Sequence, residues 1–153
     1  MMEHINAFKA TVTAVLAALT ALWGWFGWLV LAWVACMVID VITGMMAAAQ
    51  DGKWSSSVMK EGISGKVGCV FTALVALIFD ALLGLVLAQF PGIALPFDYT
   101  VLFCPVVIVW YALAEMGSIV ENAGSMGAPV PPWLTKAIAA LGDTIDKTVG
   151  GDE

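Results

Sequence analysis

The chain has 153 residues, of which 61% are hydrophobic and only 12% charged, and its mean hydropathy is +0.96. A soluble domain of this size carries about a quarter charged residues, so the solvent around most of this chain must be lipid. The net charge of −6 and the absence of arginine argue against nucleic-acid binding, which needs cations clustered on the phosphates.

The first apolar region carries no charge over residues 10–39. It is too long for one untilted span of a membrane core about 30 Å thick. Residues 23–28 read WGWFGW, which combines glycines that permit a turn with tryptophans that favour the membrane interface. The pattern predicts a first span at 5–22 and a second at 28–50. One long, tilted helix is the alternative, and it leaves three spans instead of four.

A polar segment at 51–57 is predicted to connect the second span to a third at 67–89, and a fourth span follows at 99–120. In this four-span arrangement all six lysines lie on one side. The positive-inside rule then places that side and both termini in the cytoplasm. With three spans, Lys9 moves to the other side. Residues 1–128 form the predicted transmembrane domain.

The remaining residues, 129–153, form a predicted cytoplasmic tail. Apolar residues recur in it at helical spacing: Leu134, Ile138, Leu141 and Ile145. The tail is therefore predicted to be an amphipathic helix, lying on the cytoplasmic membrane face or on a partner helix. The fold class that follows is an all-α integral membrane protein, a bundle of four or three spans with this C-terminal helix.

Three acids, Asp40, Asp80 and Glu115, interrupt the apolar runs. With Lys66 placed before the third span, no lysine is expected at their depth. The acids are then expected to be protonated, hydrogen-bonded across helices, or exposed to water. One interpretation is a polar seam within or between subunits. The other is a set of neutral acids bonded to nearby hydroxyls or carbonyl groups.

Small residues in the third span favour close helix approach. They are Gly62, Gly65 and Gly68. Packing within the chain and a dimer face are both open interpretations of this stripe.

No catalytic site, metal or cofactor is predicted. The only histidine is His4, near the terminus, which excludes a His-based triad or a two-histidine zinc site. The three cysteines form no CxxC pair, and each is predicted to be a reduced packing residue. They are Cys36, Cys69 and Cys104.

Three segments together resemble a known family, the toxin-secretion and phage-lysis holins. Residues 40–44 read DVITG, similar to a family D-x-x-T-G motif, and residues 52–56 read GKWSS, similar to its connector. Residues 115–123 read EMGSIVENA, with GAPVP at 127–131, which resembles E-x-x-S-I-x-E-N-A followed by G-x-P-x-P. Asp80 falls where relatives tend to carry an aspartate, and the likeness covers about 28–134.

The resemblance implies a protein of the bacterial cytoplasmic membrane that associates with itself and forms lesions. These lesions would release an endolysin, for host lysis, or a large toxin. Partners would then be the lipid bilayer, further copies of the chain, and functionally the released enzyme or toxin. The polar seam, as an oligomer or pore surface, is predicted to comprise Asp40, Thr43, Gly44, Asp80, Glu115, Ser118, Glu121 and Asn122. Alternatives are a non-lytic export accessory, an antagonist that shares the fold, or a non-conducting scaffold.

Overall fold

The computed structural model describes residues 2–90, 92 and 101–150, and this part of the chain is helical, without strands. It contains four helices in chain order. They are α1 (Met2–Gln50), α2 (Ser56–Gln89), α3 (Phe103–Ser125) and α4 (Pro132–Gly150). The start of the predicted span at 99, most of the loop before it, and the last three residues lie outside the described residues. The predicted all-α membrane fold is confirmed.

Within the described part of the chain, three segments are long and apolar enough to cross a membrane: Gly24–Gln50, Gly62–Gln89 and Phe103–Ser125. The N-terminal part of α1 is also helical, but its apolar stretch, Phe8–Ala18, is shorter than the roughly 20 residues that a span needs. The predicted first span at 5–22 therefore stays a prediction. The other predicted spans are present with shifted ends. The apolar segment of α2 begins at Gly62, five residues before the predicted start at 67.

Helix α1 is kinked at Gly24, whose φ of 57° and ψ of −155° lie outside helical geometry. A positive φ favours glycine, because a β-carbon there would crowd the backbone. Across the kink, Trp28 Nε1 donates a hydrogen bond of 2.7 Å to Thr20 Oγ1. Residues eight apart lie about 12 Å apart along an unbroken helix, so this bond depends on the bend. The turn predicted at 23–28 is thus a kink at one residue.

Helix α3 is the centre of the bundle, since it contacts all three other helices, whereas α1 and α2 contact each other only sparsely. Aromatic stacking of Trp33 on Tyr111 (ring centroids 5.9 Å apart) joins α1 to α3. The Cys104 thiol donates to the Ala73 carbonyl of α2 (3.4 Å). The buried core between the three spans consists of Trp33, Met37, Ala73, Cys104, Ile108 and Ala112. All three cysteines are free thiols.

Helix α4 packs along α3 in the antiparallel direction. A β-carbon placed on Gly124 would lie 3.8 Å from Val130, and one on Gly117 would lie 4.0 Å from Ile138. Further along, Trp110 Nε1 donates to Asp146 (2.8 Å). Of the two predicted positions for this helix, the membrane face and a partner helix, the structure has the second. The sequence could not separate them, because both need the same apolar face.

Candidate functional site

The most polar part of the membrane region is a cluster of one lysine and two acids, one from each spanning helix. Lys66 Nζ of α2 donates to Asp40 of α1 at 2.8 Å and also to Glu115 of α3. Only 17% of the Lys66 and Asp40 side chains is exposed, and 9% of the Glu115 side chain. We call these three residues the charge cluster. It ties all three spans together at one level.

The level of the charge cluster follows from residue spacing. The connector at 51–55 reverses the chain between α1 and α2, and α3 ends on the same side of the bundle, here called the connector side. Asp40 lies ten residues before the end of α1, Lys66 ten residues after the start of α2, and Glu115 ten residues before the end of α3. At 1.5 Å per residue, each is about 15 Å from its helix end.

This geometry corrects the expectation that no lysine lies at the depth of the acids. The third span was predicted to begin at 67, which left Lys66 in the connector, whereas the apolar segment begins at Gly62. The equal spacing of Asp40 and Lys66 from the connector was the signal in the sequence that could have found the pair. A paired cation gives the two acids a partner, so neither of them has to be neutral.

An amide extends the charge cluster toward the connector side. Asn122 Nδ2 of α3 donates to Asp40 Oδ1 (3.1 Å) and to Thr43 Oγ1 (3.2 Å). The Thr43 hydroxyl in turn donates to the Asp40 carbonyl (3.1 Å). Gly44 lies against this network, since a β-carbon there would be 3.5 Å from Asn122 Nδ2. Five predicted seam residues thus meet at one place: Asp40, Thr43, Gly44, Glu115 and Asn122.

Asp80 belongs to a different place, the N-terminus of α3. Its carboxylate accepts hydrogen bonds from the backbone N–H groups of Leu102 (3.1 Å), Phe103 (3.0 Å) and Cys104 (2.7 Å). The next residue, Pro105, has no N–H to satisfy, and Val106 N–H already bonds to Leu102 O. Asp80, on α2, therefore caps the N-terminus of α3. Only 1% of this residue is exposed. This contact is structural in character.

The remaining predicted seam residues lie apart from the charge cluster. Ser118 and Glu121 are exposed, and Glu121 lines a groove between α3 and α4. Among the described residues, no atom of a neighbouring element approaches a β-carbon built on Gly62, Gly65 or Gly68 within 4 Å. Packing within the chain and a dimer face therefore both stay predictions for these glycines. Gly62 lines a groove between α1 and α2.

A groove leads from the connector side to the charge cluster. It lies between α1 and α2, has a volume of about 160 Å³, and is lined by Asp40 and Lys66 at its inner end and by Trp54 and Ser55 at its outer end. Both ion-paired side chains are therefore within reach of water that enters between these helices. The described residues offer no group of three His, Cys, Asp or Glu that could hold a metal ion.

Comparison with known proteins agrees with this picture of a small membrane protein. The family model described as the bacteriophage holin family matches residues 17–143. An uncharacterized protein of Halalkalibacterium halodurans is 34% identical over 105 residues, which are 69% of this chain and 71% of that protein. No solved structure matches the chain at a significant level. The family match includes all three spans, the charge cluster and most of α4.

Proposed function

This chain belongs to the bacteriophage holin family, and we propose that it assembles with copies of itself in the bacterial cytoplasmic membrane and opens lesions there. The lesions release a cytosolic cell-wall hydrolase and so lyse the host. The single observation that carries the proposal is the family match over three membrane-spanning helices joined by a charge cluster. The described site contains nothing that suggests a chemical reaction.

Large apolar side chains on α2 supply the surface for association. Phe71, Val75 and Leu85 are each more than 60% exposed in the single chain. Because lipid tails solvate such side chains as well as another helix does, association in a membrane depends on close packing and polar contacts. The open glycines of α2 at 65 and 68 permit such close packing by a second copy. This face is where we place the contact between subunits.

Separation of the charge cluster is the step by which the closed protein opens. Moving α2 away from α1 and α3 separates Lys66 from both acids, which hydrocarbon does not tolerate but water does. Helices α1 and α2 contact each other only sparsely, and the groove between them reaches Asp40 and Lys66. Water would therefore enter first between these two helices. Copies that associate through α2 would favour the separated state. The lesion then forms when enough copies have gathered.

The lysines set the orientation that we propose. Lys53 and Lys60 lie on the connector side, and the loop between α2 and α3 contains no lysine or arginine. By the positive-inside rule, the connector lies in the cytoplasm. Water would then reach the groove, and through it the charge cluster, from the cytoplasmic side.

The test is induced expression in bacteria, with and without a cytosolic murein hydrolase that lacks an export signal. Turbidity and release of a large cytoplasmic reporter are followed together. We expect abrupt lysis after a delay only when both proteins are present. Asp40→Asn should change the delay, because it weakens one ion pair of the charge cluster, whereas Asp51→Asn at the exposed connector should not.

Other outcomes separate the alternatives. Intact cells, with the protein confirmed in the membrane, would overturn the lytic function. If the chain then delays lysis by another holin, it is an antagonist. If it exports a large toxin without lysis, it is an export accessory. Lysis timing that does not respond to Asp40→Asn, Asp80→Asn or Glu115→Gln would remove the role given to the acids.

A further inference from the structure

Helix α4 lies at membrane depth beside α3. Asp146 bonds to Trp110, and Gly142 shares a groove with Ala114, near the middle of the span Phe103–Ser125. The helix therefore extends from the connector side past the middle of the span. In this position its outward face must meet lipid, water or another protein.

The two faces of α4 differ sharply. Ile138, Gly142 and Ile145 are half-buried toward α3. On the opposite face, Lys136, Asp143 and Lys147 recur seven and four residues apart, which aligns them along one side of a helix, and all three are exposed. We call these three residues the charged stripe. The stripe points directly away from α3.

Lipid is an unfavourable environment for the charged stripe. Charged side chains at membrane depth are disfavoured unless they meet protein partners or water. The hydrogen bond between Trp110 and Asp146 and the close approach of Gly117 to Ile138 hold α4 on α3, away from the headgroups. Helix α4 in this position is therefore more stable with water along its outer face than with lipid there. A single chain surrounded by lipid does not provide that water, but a ring of copies does.

We propose that α4 of each copy lines the water-filled opening, with the charged stripe facing the lumen and α2 facing lipid or a neighbouring copy. This assignment rests on the lesion-forming function proposed above and names the helix that forms the wall. In this arrangement α3 lies between α4, which faces the lumen, and the outer helices α1 and α2.

Thiol labelling tests the assignment in the full-length protein. In a variant with Cys36, Cys69 and Cys104 replaced by alanine, single cysteines are introduced as D143C or K147C. I39C on the exposed face of α1 serves as the control, because Ile39 is 46% exposed and lies as many residues from the end of α1 as Ala114, which lines a groove with Gly142, lies from the end of α3. A charged, membrane-impermeant thiol reagent is added to cells before and after the lesion opens. Reporter release from a parallel culture that also expresses the murein hydrolase records the time of opening independently.

We expect D143C and K147C to react only after opening, and about 100-fold faster than I39C, the ratio that corresponds to the free energy of placing a charge in hydrocarbon. Equal rates for all three cysteines after opening would overturn the assignment. So would full labelling of D143C in closed, inside-out vesicles, since that places α4 on the cytoplasmic surface. If the parent releases no reporter at all, the proposed function itself fails.

A cross-link gives a second test. A β-carbon placed on Gly117 lies 4.0 Å from Ile138 Cγ2, so G117C and I138C, in the same background without native cysteines, should bring two thiols close enough for a disulfide that fixes α4 on α3. Reporter release that is equal with and without reductant would support a docked α4 in the open lesion. Release that requires reductant would overturn the assignment, because α4 would then have to leave α3.

Discussion

Replacement of Lys66 by methionine is the sharpest test of the charge cluster. The substitution keeps the length of the side chain but leaves Asp40 and Glu115 without their shared cation. Removal of one partner from a buried ion pair destabilises a protein by about 3–5 kcal/mol. Because the side chains retain 9–17% exposure and the groove admits water, we expect the lower end, about 3 kcal/mol. That is about a 150-fold change in the ratio of folded to unfolded protein.

The assay is reversible unfolding of the purified protein in detergent, followed by circular dichroism. Lys53→Met is the matched control: Lys53 pairs with Asp51 at 3.2 Å, but the two side chains are 78% and 55% exposed. Such exposed pairs contribute less than about 1 kcal/mol. The combined variant Lys66→Met, Asp40→Asn, Glu115→Gln should recover most of the loss, since it removes the unpaired charges together.

Two results would refute this reasoning. If Lys66→Met unfolds at the same denaturant concentration as Lys53→Met, the charge cluster contributes no stability. If the combined variant is less stable than Lys66→Met alone, the acids have partners of their own and do not depend on the lysine.

Three further predictions concern single contacts. Asp80→Ala should destabilise the fold by about 2–4 kcal/mol, because three backbone N–H groups at the start of α3 lose their acceptor. Asp80→Asn should destabilise it by less, and unfolding in detergent measures both variants. Gly24→Ala should be about 1–2 kcal/mol less stable in the same assay, whereas Gly84→Ala, inside α2, should not be destabilised. Trp33→Phe should stay within about 1 kcal/mol of the parent in thermal melts, because Trp33 Nε1 has no partner among the described residues, whereas Trp33→Ala should lose about 3–5 kcal/mol.

The positions of the spans could be predicted because hydropathy acts over whole segments. The helix end near Gln50 and the polar connector that follows it are both present. The sequence also grouped Asp40, Thr43 and Asn122 as polar residues of the membrane region, and they are in contact. The pairing of Lys66 with the acids was not predicted, because a boundary drawn along the sequence assigns each residue either to the connector or to the span. A long lysine side chain at such a boundary can turn inward as easily as outward.

The position of α4 could not be derived for a different reason. Its apolar face fits the membrane surface and the side of α3 equally well, and the charged residues opposite stay out of contact in both cases. What decides in the structure is the surface of α3, where Gly117 and Gly124 leave room for Ile138 and Val130. Those glycines were visible in the sequence. The residues that face them could not be predicted, because the register between two helices depends on the turn that joins them.

Residues 115–124 of α3 contact neighbours on two sides of the helix. Glu115 and Asn122, seven residues apart, face the charge cluster on α1 and α2. Gly117 and Gly124, also seven residues apart, face α4. Seven residues are close to two helical turns, so each pair lies along its own side of α3. A rotation of α3 that opened the charge cluster to water would therefore also move the surface on which α4 rests. The acids of the cluster and the charged stripe of α4 would then reach water in the same step, through the helix that touches both.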